Sequence, residues 1–237
     1  MVEAKLYGVG VGPGDPELLT LKGLRILREV AVVAAPVKQA GEDSSAWNIV
    51  RSHLGADARC LELEMPMSRD RSRLENSWDA AAAVVGAHLA AGRSVAFVTL
   101  GDPTLYSTYM YLHNRVIARG FAAEIVPGVT AMCAISARLG CSLAEGSDSL
   151  AILPSLHSGA DFATVLDQFD NVVVMKAGMD YAGLEDGLRQ RNLLGRSALV
   201  SNCGMANERV LSSLAEGIGE TEMGYFTTVL IKQGEGR

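Results

Sequence analysis

The stretch Lys5-Leu6-Tyr7-Gly8-Val9-Gly10-Val11-Gly12-Pro13-Gly14-Asp15-Pro16 decides the fold of this 237-residue chain. A short apolar run ends in a turn of glycines and prolines, and residues 18–28 then follow with helical spacing, which reads as strand, turn, helix. The same punctuation returns twice. Residues 94–100 run into Leu100-Gly101-Asp102-Pro103-Thr104, and residues 123–126 run into Pro127-Gly128-Val129-Thr130-Ala131. Between these marks lie further apolar runs at 30–35 and 59–63, with helical segments at 46–54, 74–91 and 104–119. Gly92 stands where a helix C-cap is expected. Beyond Ala131 the spacing predicts strands at 150–153, 171–175, 198–201 and 227–231, and helices at 129–139, 161–169 and 184–191. Alternation of this kind predicts an α/β fold of mostly parallel sheets with flanking helices. It is divided near Gly120 into an N-terminal domain of residues 1–120 and a C-terminal domain of residues 121–237.

Composition narrows the function. Hydrophobic residues make up 49% of the chain and charged residues 20%, which suits a packed core rather than a disordered segment. A formal charge of −6 offers no positive field for a phosphate backbone, so no nucleic-acid partner is expected. No run of about 18 apolar residues occurs, and Met1 to Leu6 lack the charged and apolar regions of a signal peptide, so the reading is cytoplasmic with no membrane partner. Cys60, Cys133, Cys141 and Cys203 show no C-x-x-C spacing and read as core thiols, not as a metal set. His53, His88, His113 and His157 have no ligand spacing either, and no metal site is expected.

Each glycine turn has a plain and a chemical reading. The first is not a G-x-G-x-x-G fingerprint, because Pro13 and Asp15 stand where the third glycine is required, and no acidic residue closes the second strand at Ala34-Ala35-Pro36. Asp102 follows a strand end, where ligands bind in open α/β sheets, yet it is equally suited to cap a helix starting at Thr104. Thr130 offers a hydroxyl and an amide after a common Pro-Gly turn.

In this order and spacing the three motifs resemble the corrin/porphyrin methyltransferase family, with its G-x-G-P-G-D opening, G-D-P turn and P-G-[VI]-[TS]-[AS] turn. The resemblance covers nearly the whole chain. It implies a homodimer of two-domain subunits that binds S-adenosylmethionine in the cleft between domains and releases S-adenosylhomocysteine. On that resemblance the cofactor is held by Pro13, Leu100, Gly101, Asp102, Leu105, Thr130 and Ala131, and in the second domain by Met175 and Cys203, the last standing where relatives often have glycine. Tyr7-Gly8-Val9-Gly10 through Gly23, Met67-Ser68-Arg69-Asp70, and Gly101 through Thr108 look most like members that methylate carbon 20 of precorrin-2 or of its cobalt complex. Uroporphyrinogen methyltransferases, by contrast, carry an aspartate near the end of the second strand, where this chain has Ala34-Ala35-Pro36.

A tetrapyrrole brings many carboxylates, and an acidic protein must meet them with local positive charge. Arg69, Arg71 and Arg73, on alternate residues before the long helix, are the candidate substrate ligands. Asp102 is the candidate for proton removal or substrate orientation. Other methyltransferases of this fold, acting at another tetrapyrrole position, on RNA or on a modified protein histidine, stay open. So, on the first turn alone, does a nicotinamide-dependent oxidoreductase, and so does a module that binds tetrapyrrole without catalysis.

Overall fold

The computed structural model describes residues 3–68, 70–157, 161–219 and 223–233. The chain forms two compact units, Met1–Thr130 and Ala131–Arg237. In the first, strands β1 (Lys5–Gly10), β2 (Val32–Val37), β3 (Cys60–Glu64), β4 (Val95–Thr99) and β5 (Ala122–Val126) pair in the order β3-β2-β4-β1-β5. Every pairing is parallel. Parallel strands covered on both faces read as continuous apolar runs, and β4 is buried along its whole length.

Helices cover the two faces separately. Helices α1 (Leu21–Glu29) and α2 (Ser45–Val50) pack with Val9, Val33, Ala35, Ala96 and Val98 on one face. On the other, α3 (Arg71–Ala90) and α4 (Tyr109–Ala118) pack with Leu6, Ala34, Val95 and Phe97. Gly8 makes the second packing possible, because a Cβ there would fall inside the ring of Tyr109, the largest fully buried side chain. The Tyr109 hydroxyl keeps a partner in His113 Nδ1 at 2.9 Å, and burial raises the Tyr109 pKa far above its ordinary value.

The second unit has strands β6 (Leu150–Leu153), β7 (Asn171–Met175), β8 (Ser197–Ser201), β9 (Arg209–Leu211) and β10 (Thr227–Lys232) in the order β6-β7-β10-β8-β9. Helices α5 (Ala131–Leu139), α6 (Phe162–Gln168) and α7 (Tyr181–Gln190) accompany them. Only β6 and β7 run parallel; the other three pairings are antiparallel. The reason is connection length. Residues 154–170 carry α6 and can cross over, whereas residues 202–208 are too few for a crossover and turn β8 back as β9.

Three expectations shift. The division falls after Thr130 rather than near Gly120, because β5 hydrogen-bonds β1 as the edge strand of the first sheet. The expected helix from Thr104 starts only at Tyr109, after Tyr106 adopts a left-handed backbone at φ 50° that interrupts helical winding. The long helix starts at Arg71 instead of Leu74, because the Asp70 carboxylate accepts from Ser72 N and Arg73 N and caps it there. Of the four cysteines only Cys203 is buried; Cys60 and Cys141 are partly covered and Cys133 is exposed. Among the described residues no helix is long and apolar enough to cross a membrane.

Substituting Gly8→Ala forces a methyl into the Tyr109 ring and is expected to cost about 2 kcal/mol or more. Gly195→Ala, where nothing lies within 4 Å of the added Cβ, is expected to change stability by less than about 1 kcal/mol. Urea unfolding of the two variants checks the contrast, and equal midpoints would contradict the packing described.

Candidate active site at the strand ends

The chain leaves β1 for α1 on one face of the sheet and leaves β4 for α4 on the other, although β1 and β4 are neighbours. Connections diverging from adjacent parallel strands open a crevice at their carboxyl ends, the usual ligand position in such sheets. Here the crevice is closed underneath by backbone. Gly101 N donates to Gly12 O at 2.9 Å and Gly12 N to Gly101 O at 3.4 Å, joining the two departing turns. Gly12 and Gly101 hold φ of 80° and 63°, left-handed values that side-chain-bearing residues seldom adopt.

A third turn locks into the first two. A Cβ on Gly10 would stand 2.6 Å from both Gly101 O and Gly128 N, and one on Gly128 would strike Gly101 O. The space gained by these two missing side chains is therefore filled by neighbouring backbone. Asp102 fastens the junction. Its Oδ2 accepts from Gly128 N at 2.9 Å, and its Oδ1 accepts from Thr104 N at 2.8 Å and Thr104 Oγ1 at 2.5 Å. Burial pushes the Asp102 pKa up, but the hydrogen bonds from Thr104 and Gly128 outweigh it, and the net shift is downward. Asp102 thus caps a turn and spans two loops; it does not cap a helix. Ser107 completes the loop, its Oγ lying 2.9 Å from Thr99 Oγ1 and accepting from Tyr109 N.

In the first unit the structure brings together Pro13, Leu100, Gly101, Asp102, Leu105 and Thr130, all in turns leaving the carboxyl ends of β1, β4 and β5. Pro13 is buried, and the other five are half-buried. In the second unit Met175 ends β7 and Cys203 follows β8, and both strands run the same way beside β10, so the two residues share one edge. Ala131 is the first residue of α5. Lys176 and Asn202, next to Met175 and Cys203, are left-handed at φ 54° and 52°. The Lys176 ammonium lies 4.9 Å from the centre of the Tyr225 ring.

The arginine segment is arranged differently from the expected loop. Arg71 and Arg73 occupy the first turn of α3, and Arg69 lies outside the described residues. Arg71 Nε pairs with Glu75 Oε1 at 2.8 Å, while Arg73 pairs with no carboxylate among the described residues. Sequence reading missed the Gly10–Gly128 packing and the reach of Asp102 across 26 residues to Gly128. The signal present was the glycine in each of the three turns.

Asparagine at position 102 can keep one oxygen for Thr104 but turns an amide donor toward Gly128 N, so Asp102→Asn is expected to lose about 1 kcal/mol. Because the folded carboxyl pKa is lowered, the stabilisation is complete at neutral pH and fades as the pH falls through that lowered value. Thermal melts from neutral to acid pH check this. A gap between wild type and variant that stays constant into acid would contradict it.

The family described as Tetrapyrrole (Corrin/Porphyrin) Methylases matches residues 5–218. The chain is 35% identical over 232 residues to the cobalt-precorrin-2 C(20)-methyltransferase of Salmonella typhimurium, covering 98% of each. It is 34% identical over 235 residues to the precorrin-2 C(20)-methyltransferase of a Sinorhizobium species, covering 96% of this chain and 94% of the relative. Among solved structures, a uroporphyrin-III C-methyl transferase from Thermus thermophilus complexed with S-adenosyl homocysteine superposes with a TM-score of 0.68 at 22% identity, over 97% of this chain and 92% of that one. On the extent of the family match and of the relatives' identity, this chain belongs to the tetrapyrrole (corrin/porphyrin) methylase family.

Proposed function

We propose that this protein transfers a methyl group from S-adenosylmethionine to carbon 20 of precorrin-2 or cobalt-precorrin-2, a step of cobalamin biosynthesis. The observation that carries the reading is full-length identity, above 30%, to relatives bearing that activity in their names, on a chain whose three motif turns converge at one sheet edge.

The residues fit the cofactor's chemistry. In the first unit the half-buried Leu100 and Leu105, and in the second unit the half-buried Ala131 and Met175 and the buried Cys203, are each apolar groups of the kind that suit an adenosyl group. When bound, S-adenosylmethionine supplies an electrophilic methyl on a sulfonium, which needs no activation by the protein. The chain's own task is to hold methyl and carbon in line, and such positioning can contribute roughly 7 to 11 kcal/mol. The glycine junction serves it by leaving the turns at Pro13, Leu100 to Leu105 and Thr130 no freedom to drift. Asp102, with both oxygens engaged, acts in this reading by orienting those turns.

Arg71 and Arg73, together with Arg69, receive the carboxylates of the tetrapyrrole. A cation in the first turn of a helix opposes the helix dipole and costs stability, so its presence there favours a binding role. The family resemblance further implies a homodimer working in the cytoplasm, which light scattering on the purified protein checks for the assembly.

Two experiments follow. Incubation with S-adenosylmethionine and either metal-free or cobalt-loaded substrate is expected to give S-adenosylhomocysteine and a product one methyl heavier, labelled at carbon 20 when the donor methyl carries carbon-13. Methylation at another position, or of RNA alone, would overturn the assignment. Arg73→Ala is expected to raise the tetrapyrrole KM about tenfold at low salt, with the effect shrinking as salt rises. It should leave stability equal or slightly higher. An unchanged KM at low salt would mean the carboxylates are received elsewhere.

A further inference from the structure

Cys203 sits in the turn Asn202-Cys203-Gly204, flanked by two left-handed residues at φ 52° and 75°. Asn202 is held from outside by its N–H, which donates to Phe226 O at 3.1 Å, and the Cys203-Gly204 side of the turn is held by one carboxylate. Glu208 Oε2 accepts from Gly204 N at 2.8 Å, and the Cys203 thiol also donates to Glu208. The other oxygen, Oε1, takes Arg138 Nε at 2.5 Å. The Glu208 side chain is only 16% exposed. Arg138 belongs to the last turn of α5, whose first residue is Ala131.

Glu208 therefore stands between the β8 turn and α5, the two elements of the second unit that carry Cys203 and Ala131. The main-chain bonds Met205 N to Asn202 O (2.9 Å) and Glu208 N to Met205 O (3.0 Å) shape the intervening loop, and Asn202 N to Phe226 O (3.1 Å) ties its start to the residues before β10, but none of the three reaches α5. Within that loop, the tie to α5 comes from Glu208. We propose that Glu208, anchored by Arg138, is a positioning residue for the cofactor pocket: it fixes the Cys203 turn relative to α5 without touching the cofactor. This rests on the reading above, in which Cys203 and Ala131 contact S-adenosylmethionine.

The test compares wild type, Glu208→Ala, Glu208→Gln, Arg138→Ala and the double variant by calorimetric titration with S-adenosylhomocysteine, thermal melting and steady-state kinetics. Loss of a charge-assisted tie predicts an S-adenosylhomocysteine Kd and an S-adenosylmethionine KM raised about tenfold in Glu208→Ala, with kcat and tetrapyrrole KM within about twofold of wild type. Glutamine keeps an acceptor for Gly204 N and is expected to recover part of the affinity. Arg138→Ala weakens binding too, and the double variant binds no worse than Glu208→Ala, because Arg138 acts through Glu208. A folded Glu208→Ala with wild-type affinity would overturn the proposal, even if its melting point fell, since a purely structural tie lowers stability alone. If Glu208→Ala does not fold, Glu208→Gln and Arg138→Ala are judged by the same titration, and unaltered affinity in both overturns it. Wild-type protein that binds no S-adenosylhomocysteine would defeat the functional reading itself, whereas binding by wild type with no change in the variants defeats only the role of Glu208.

Discussion

Backbone meets backbone where Gly10, Gly101 and Gly128 converge, and the first unit's site depends on that contact. At ordinary strand spacing of about 4.8 Å two departing turns can clear each other, but a third turn cannot settle between them unless side chains are absent. Gly10 and Gly128 supply the absence, Gly12 and Gly101 supply left-handed bends, and Asp102 supplies hydrogen bonds that hold the turns once they meet. The glycines first suggest room for a ligand. In the structure the room at Gly10 and Gly128 is already occupied by neighbouring main chain, and what the junction offers a ligand is a fixed rim, not a hollow.

That junction explains why Asp102 is better suited to holding than to proton transfer. A general base needs a lone pair aimed at the substrate and a pKa near the working pH. Asp102 has both oxygens engaged and a pKa moved downward. Methyl transfer from a sulfonium tolerates this arrangement, since bond making needs alignment more than acid–base help. The second unit solves a similar problem differently. Around Cys203 the strained turn is held by a carboxylate and an arginine instead of by close-packed glycine.

How much of this could be read beforehand follows from the range of each interaction. The runs at 150–153 and 171–175 give strands with the same ends as β6 and β7, because each is a short apolar run bounded sharply by polar or turn residues. Three-residue β9, Arg209–Leu211, carries too short a pattern to register. The start of α4 at Tyr109 was hidden because Tyr106 turns left-handed under tertiary constraint, while Thr104 carries an ordinary start signal. The division after Thr130 was hidden because β5 looks the same whether it opens a second sheet or closes the first. The site residues were legible as motif turns, but their mutual packing was not: the bond from Gly128 to Asp102 crosses 26 positions and leaves no local trace.

Under the proposed function, the rim that would hold the cofactor exists only while the glycine junction is closed. The most direct test of this claim is calorimetric titration of folded Gly10→Ala with S-adenosylhomocysteine, next to Gly195→Ala as a control for substitution alone. The account predicts affinity lowered about a hundredfold or more in Gly10→Ala, because the added methyl must separate Gly101 from Gly128, and wild-type affinity in the control. A folded Gly10→Ala that binds as tightly as wild type would contradict it.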